Sequence, residues 1–312
     1  MNYDIKLIRK SGQSGVDFDQ LEHLAHSTRQ IAQRALMLKV FGYSGVSLPA
    51  YCKDAVRIRL ESVTGNASEG IRFLLDADPF AGKLGTLQVD VFRPQLAEEL
   101  RALTPMALVI QTFRAALLPD AEKNDLDKPL LKSLLSFKKS FISGEETFFF
   151  SNRGTVPEVS VTLDDFKRIE LLNDDTPEPR KTIVMGKLDE MKYSKSRFVL
   201  LTREGPVNVL VRQQADEMVA LKDFFGEDVT IEGEAHFRPG GLLSFIELHT
   251  FAAPGKTDTQ FSRIPSALSA RQQVLFKIKK GKSLNPLASL LGQWPGDETD
   301  EEYEQLLKDM GK

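Results

Sequence analysis

Chemistry in this chain would have to come from four histidines, a few adjacent acids and two basic clusters, because its 312 residues hold one cysteine, Cys52, and no compact catalytic signature. No Walker-type phosphate loop, Gly-x-Gly-x-x-Gly, His-Glu-x-x-His or Gly-x-Ser-x-Gly is present. His23 and His26 stand three apart, a spacing that puts two imidazoles on one helix face within reach of one metal or anion. Beside the helix-start acids Asp19 and Glu22 they read more simply as surface residues. His236 and His249 fall on neighbouring expected strands and read as a cross-strand pair. The acid pairs Glu145-Glu146, Asp164-Asp165 and Asp174-Asp175 would need supporting partners for acid–base or metal work. Adjacent side chains on a strand point to opposite faces, so such pairs do not converge by themselves. The reading is of a protein that is not an enzyme, with no cofactor and no metal.

The basic clusters point to binding instead. Lys192, Tyr193, Lys195 and Arg197 crowd into one expected hairpin, net positive by three, with an aromatic among the cations. That is the surface chemistry that holds single-stranded nucleic acid. The second cluster, Arg263, Arg271, Lys277, Lys279, Lys280 and Lys282, contains no acid and leads into Leu287, Leu290, Leu291 and the sole tryptophan, Trp294. A Pro295-Gly296 turn then delivers Asp297, Glu298, Asp300, Glu301, Glu302 and Glu304, with Tyr303, Leu306, Leu307 and Met310 as a narrow apolar stripe. A helix this short and this charged is unstable alone and folds on a partner.

The elements that position these residues follow from periodicity. Apolar spacing at Phe18, Leu21, Leu24, Ile31, Ala35 and Leu38 predicts a helix over 17–41, closed by Gly42. Strands are expected over 55–63 and 70–77, and a helix over 94–118 that Pro105 kinks or divides. A further helix over 129–142, strands over 146–151 and 158–163, and a short helix or strand over 164–172 complete an N-terminal α/β domain. Residues 173–180 combine two prolines with acids and lack apolar side chains, which marks a boundary. Beyond it come five strands, over 183–191, 197–203, 207–212, 229–237 and 242–250, with one helix over 213–225 between the third and fourth. This layout fits a small OB-like or SH3-like β-barrel. Gly186 and Gly233 suit tight bends, and Phe198, Phe224, Phe225, Phe237 and Phe245 have the spacing of core residues.

The fold class is therefore α+β, with an α+β domain over 1–172, a linker over 173–180, the barrel over 181–253, and a linker and binding tail over 254–312. Hydrophobic residues make up 41% and charged residues 27%, as in soluble globular chains. A net charge of −3 gives no global attraction to nucleic acid, so any such binding is local. One cysteine excludes a disulfide framework, and no stretch reaches membrane-span length. The expectation is a cytoplasmic protein with no membrane partner.

The run Gly292-Gln293-Trp294-Pro295-Gly296-Asp297-Glu298-Thr299-Asp300-Glu301-Glu302, followed by Tyr303-Glu304-Gln305-Leu306-Leu307, resembles the C-terminal end of small prokaryotic type II antitoxins. The likeness covers about thirty of the 312 residues. It implies a cognate protein toxin, often a PIN-domain ribonuclease, wrapped and inhibited by the C-terminal extension. On that reading Arg271, Lys277, Lys279, Lys280 and Lys282 reach toward the nuclease's metal-binding carboxylates. Leu290, Trp294 and Pro295 form the anchor. Asp297, Glu298, Glu301 and Glu302, with Tyr303, Leu306 and Leu307, cover a basic RNA-binding surface. The chain departs from that family in size: some 260 residues stand where a short DNA-binding module is usual, so operon autoregulation is not implied. The expected function is an antitoxin-like inhibitor; the alternative is an OB-type single-stranded nucleic-acid-binding protein with an accessory domain.

Overall fold

The computed structural model describes residues 1–9, 15–66, 70–81, 83–84, 99–118, 126–152, 159–192, 196–211, 215–268 and 272. Met1–Ala267 form one compact unit and Leu268–Lys312 a second. The first unit combines a helix-covered sheet with a closed barrel.

The sheet is built around the first strand, β1 (Asn2–Arg9), whose alternation buries Tyr3, Ile5 and Leu7. It is flanked by β3 (Gly70–Ala77) and β4 (Glu146–Asn152), with β2 (Ile58–Asn66) and β5 (Val159–Thr162) at the edges, in the order β2-β3-β1-β4-β5. Every pairing in it is antiparallel.

Helix α1 (Phe18–Phe41) begins after Asp17 and stops where Gly42 turns left-handed at φ 69°, its N–H closing on the Leu38 carbonyl at 2.7 Å. Leu24, Ile31, Ala35 and Leu36 form its buried stripe. Pro105 divides the expected helix: residues 99–102 are helical, 103 and 104 break the run, and α2 (Pro105–Leu117) starts afresh with the proline in its first turn and Thr104 capping the Ala107 N–H at 3.1 Å. Helix α3 (Lys128–Ser136) is capped by Asp127 and continues as a 3-10 turn through Ser140. Residues 165–175 resolve the helix-or-strand alternative as helix, α4 (Asp165–Asp175). Phe113, Phe137, Phe148 and Phe150 meet edge-on or tilted in the core between the helices and the sheet, with centroids 5.2–5.7 Å apart.

Since α4 extends to Asp175 and the next strand starts at Arg180, only residues 176–179 join sheet and barrel. Thr176 is buried there, its carbonyl accepting from Lys128 Nζ at 2.7 Å. The barrel strands are β6 (Arg180–Lys192), β7 (Arg197–Thr202), β8 (Gly205–Leu210), β9 (Asp228–Phe237) and β10 (Leu243–Ala252), with helix α5 (Ala215–Leu221) between β8 and β9. Closure runs β10-β8-β7-β6-β9 and back to β10; β8 and β10 are parallel and the other pairs antiparallel. Val184, Leu188, Phe198, Leu200, Val209, Val229, Ile231 and Ile246 fill the interior, with Met218 and Leu221 of α5 joining the same core.

Two phenylalanines depart from the expected core. Phe225 is exposed, and Phe245 is buried outside the barrel, on its outer wall. Gly233 is explained by close approach: a Cβ there would run into the Glu247 carbonyl and meet Ile246 Cγ2 at 2.7 Å. Among the described residues, no helix is long and apolar enough to cross a membrane.

Candidate functional site

Strand alternation places one row of side chains across four barrel strands and onto a fifth. Registers run Glu234 to Glu247, Glu247 to Leu210, Leu210 to Arg197, and Arg197 to Lys192. Their sequence neighbours Ala235, Ile246, Val209 and Phe198 belong to the barrel core, so this row lies on the outer wall. His236, two residues from Glu234 on the same face, is opposite Phe245, two residues from Glu247.

The segment after α1 covers this wall. Gly42 turns the chain, and Tyr43 then packs on Phe245 and Leu210 in a small buried cluster with Val46 against it. The Tyr43 centroid lies 4.8 Å from Phe245 and 5.0 Å from His236, while His236 and Phe245 stack at 4.5 Å with 9° between planes. Arg197 donates from Nη2 to the Phe41 carbonyl. A side chain at Gly42 would strike that guanidinium, so both the left-handed turn and the contact require glycine. Burial, with a smaller contribution from the positive charge of Arg238, pulls the Arg197 pKa down from its ordinary value.

His236 and Glu247 are 8% and 7% exposed, and His236 Nε2 lies 3.3 Å from Glu247 Oε2. Glu234 is half-buried beside them, and one ligand atom from each of Glu234, His236 and Glu247 lies within 4.8 Å of the others. The three side chains can hold a cation or form a charge pair with a spare carboxylate.

Other expected sites resolve differently. His249 is exposed and does not pair with His236, whose partner is Phe245: the 238–242 turn sets a register that leaves His249 four residues further along β10, at the irregularity between Leu248 and Thr250. His23 and His26 are exposed on α1. Glu146 is a structural anchor, holding Arg9 Nε at 2.6 Å and the Ile142 N–H at 2.7 Å. Asp165 accepts from the Thr162 N–H and hydroxyl, each at 2.7 Å, and Asp164 pairs with Lys167. Asp174 and Asp175 are exposed at the end of α4.

From the basic hairpin, Arg197 is half-buried against Phe41 and Lys192 Nζ lies 2.9 Å from Glu190 Oε1; Tyr193 and Lys195 lie outside the described residues. So do Arg271, Lys277, Lys279, Lys280, Lys282, Leu290, Trp294, Pro295, Asp297, Glu298, Glu301, Glu302, Tyr303, Leu306 and Leu307.

Sequence reasoning missed Tyr43, Glu234, Phe245 and Glu247. The Arg238-Pro239-Gly240-Gly241 turn would have aligned Glu234 with Glu247 only if the bulge beside it had been counted. The chain matches no protein-family model, no curated protein and no solved structure.

Proposed function

We propose that this chain is an antitoxin-like inhibitor that neutralises a protein toxin, of the PIN or another ribonuclease class, through its C-terminal segment. The observation that carries the reading is the serial order of an acid-free basic stretch ending at Lys282, the Trp294-Pro295-Gly296 turn and an acid block from Asp297 to Glu304. Cations suit a nuclease's metal-binding carboxylates, tryptophan suits an interface anchor, and acids suit an RNA-binding surface. In the body, Glu146, Asp165 and Arg197 serve internal structure. The test is co-expression with the toxin encoded beside the gene. Full-length chain rescues growth and a chain ending at Ala267 does not; equal rescue by both overturns the proposal.

A second reading rests on the barrel. Its first strand pairs with the second and fourth, its third pairs in parallel with the fifth, and a helix lies between third and fourth. This connectivity supports an OB-type rather than an SH3-like barrel, and OB barrels bind single strands on the face of their second and third strands. Here that face carries exposed Leu201, Pro206 and Asn208 beside the Lys192–Arg197 hairpin. Fluorescence anisotropy with a labelled single-stranded RNA at low salt tests it. Log affinity falls linearly with log salt if the reading holds, and no binding at low salt removes it.

A further inference from the structure

We propose that Glu234, His236 and Glu247 form a binding site for a divalent transition-metal ion of the zinc or manganese type on the outer wall of the barrel. The inference is independent of both functional readings.

Three observations carry it. First, the barrel itself supplies the geometry: residues two apart on β9 and one directly across on β10 bring an imidazole and two carboxylates together, with ligand atoms within 4.8 Å. A tetrahedron with metal–ligand bonds of about 2.0–2.1 Å has edges of about 3.3 Å. The His236 Nε2 to Glu247 Oε2 separation is 3.3 Å, so two ligands already stand at the spacing a metal requires.

Second, His236 Nε2 is buried and makes no hydrogen bond, although its residue is only 8% exposed and the nitrogen faces the Glu247 carboxylate. A buried ring nitrogen without a hydrogen bond is costly, and a metal bond satisfies it. Third, Glu234 and Glu247 are carboxylates directly opposite one another, with Glu247 buried. Like charges in that position repel. A divalent cation between them offsets that repulsion.

The surroundings favour a rigid site. Phe245 stacks on the His236 ring and Tyr43 packs against both rings from one side, which fixes the imidazole plane. The donor set also selects the ion. One imidazole nitrogen and two carboxylates suit zinc or manganese, whereas calcium and magnesium call for shells of oxygen. With three protein ligands, a fourth position stays available for water or an anion.

The experiment uses the full chain, stripped with EDTA and dialysed, titrated with Zn2+ and then Mn2+ by isothermal calorimetry and competed with a chromophoric chelator. The expected result is one equivalent bound and a raised Tm. Glu234→Gln, at a half-buried position, weakens binding roughly tenfold or more with an unchanged circular dichroism spectrum. Should that variant misfold, Glu234→Ala is read in its place. A His23→Ala/His26→Ala variant keeps full affinity. No binding by the wild type, binding unchanged in the Glu234 variants, or loss confined to the His23/His26 variant overturns the proposal.

Discussion

The Tyr43 ring sits 4.8 Å from that of Phe245, joining the segment after α1 to the outer wall of the barrel. Tyr43 is 8% exposed and shares its cluster with Leu210, so this contact is a small core between the sheet layer and the barrel. Replacing Tyr43 by alanine removes both aromatic contacts and leaves a void. The expected loss is about 3 kcal/mol, read as a lower urea midpoint. A midpoint equal to that of the wild type would show that the two layers hold together without it.

Arg9 and Glu146 face each other across β1 and β4, their side chains 8% and 1% exposed, with Nε to Oε1 at 2.6 Å. Arg9→Met leaves a buried carboxylate whose remaining partners are Gln20 and the Ile142 N–H. It is expected to destabilise by about 3–5 kcal/mol, with part of that recovered in the Arg9→Met/Glu146→Met double variant. A double variant no better than the single one would refute the coupling; a double-mutant cycle in urea measures it.

Asp127 accepts from the Ser44 N–H at 2.7 Å, from the Ser44 hydroxyl, and from the Leu130 N–H at 3.1 Å, capping α3. Burial pushes its carboxyl above the ordinary aspartate value, against the downward pull of those hydrogen bonds and of Arg34. Asp127→Asn turns an amide donor toward one of the donors and is expected to cost about 1–3 kcal/mol. A raised native pKa means that the carboxyl's contribution is complete below the unfolded value and declines as pH rises through the native one. The stability gap between wild type and Asp127→Asn should therefore narrow as pH rises above about 4, and a widening gap would contradict the assignment.

Gly233→Ala forces β9 away from the Glu247 carbonyl and Ile246. The expected cost is about 1–3 kcal/mol, with metal affinity at Glu234 and Glu247 falling in parallel. Limited proteolysis followed by mass spectrometry should show new cuts within 228–252; an unchanged digest would mean that the strand accommodates the methyl group.

Much of the scaffold was legible because its signals are local. The apolar period from Leu21 to Leu38 and the stop at Gly42 gave α1 nearly to the residue, and a strand-like run gave β3 over Gly70–Ala77. Pro105 was legible as a break, and the structure shows its form: the helical residues 99–102 end, and Thr104 caps Ala107 to start α2. The wall beneath Tyr43 was not legible. It depends on a bulge near Leu243, on a parallel pairing of only two residue pairs between β8 and β10, and on a tyrosine roughly 200 positions away in the chain. None of these leaves a periodic trace. The basic hairpin shows the converse: Arg197 looked solvent-seeking beside Lys192 and Lys195, yet its guanidinium reaches a backbone carbonyl after α1.

The place of β1 at the centre of its sheet has a kinetic consequence. The strand, with Tyr3, Ile5 and Leu7 among its residues, pairs on one side with 71–76 and on the other with 146–152. During synthesis that strand must wait until residues 146–152 have been made before its second edge is covered. Such long-range closure makes folding slow and leaves an unpaired hydrophobic edge open to aggregation in the interval.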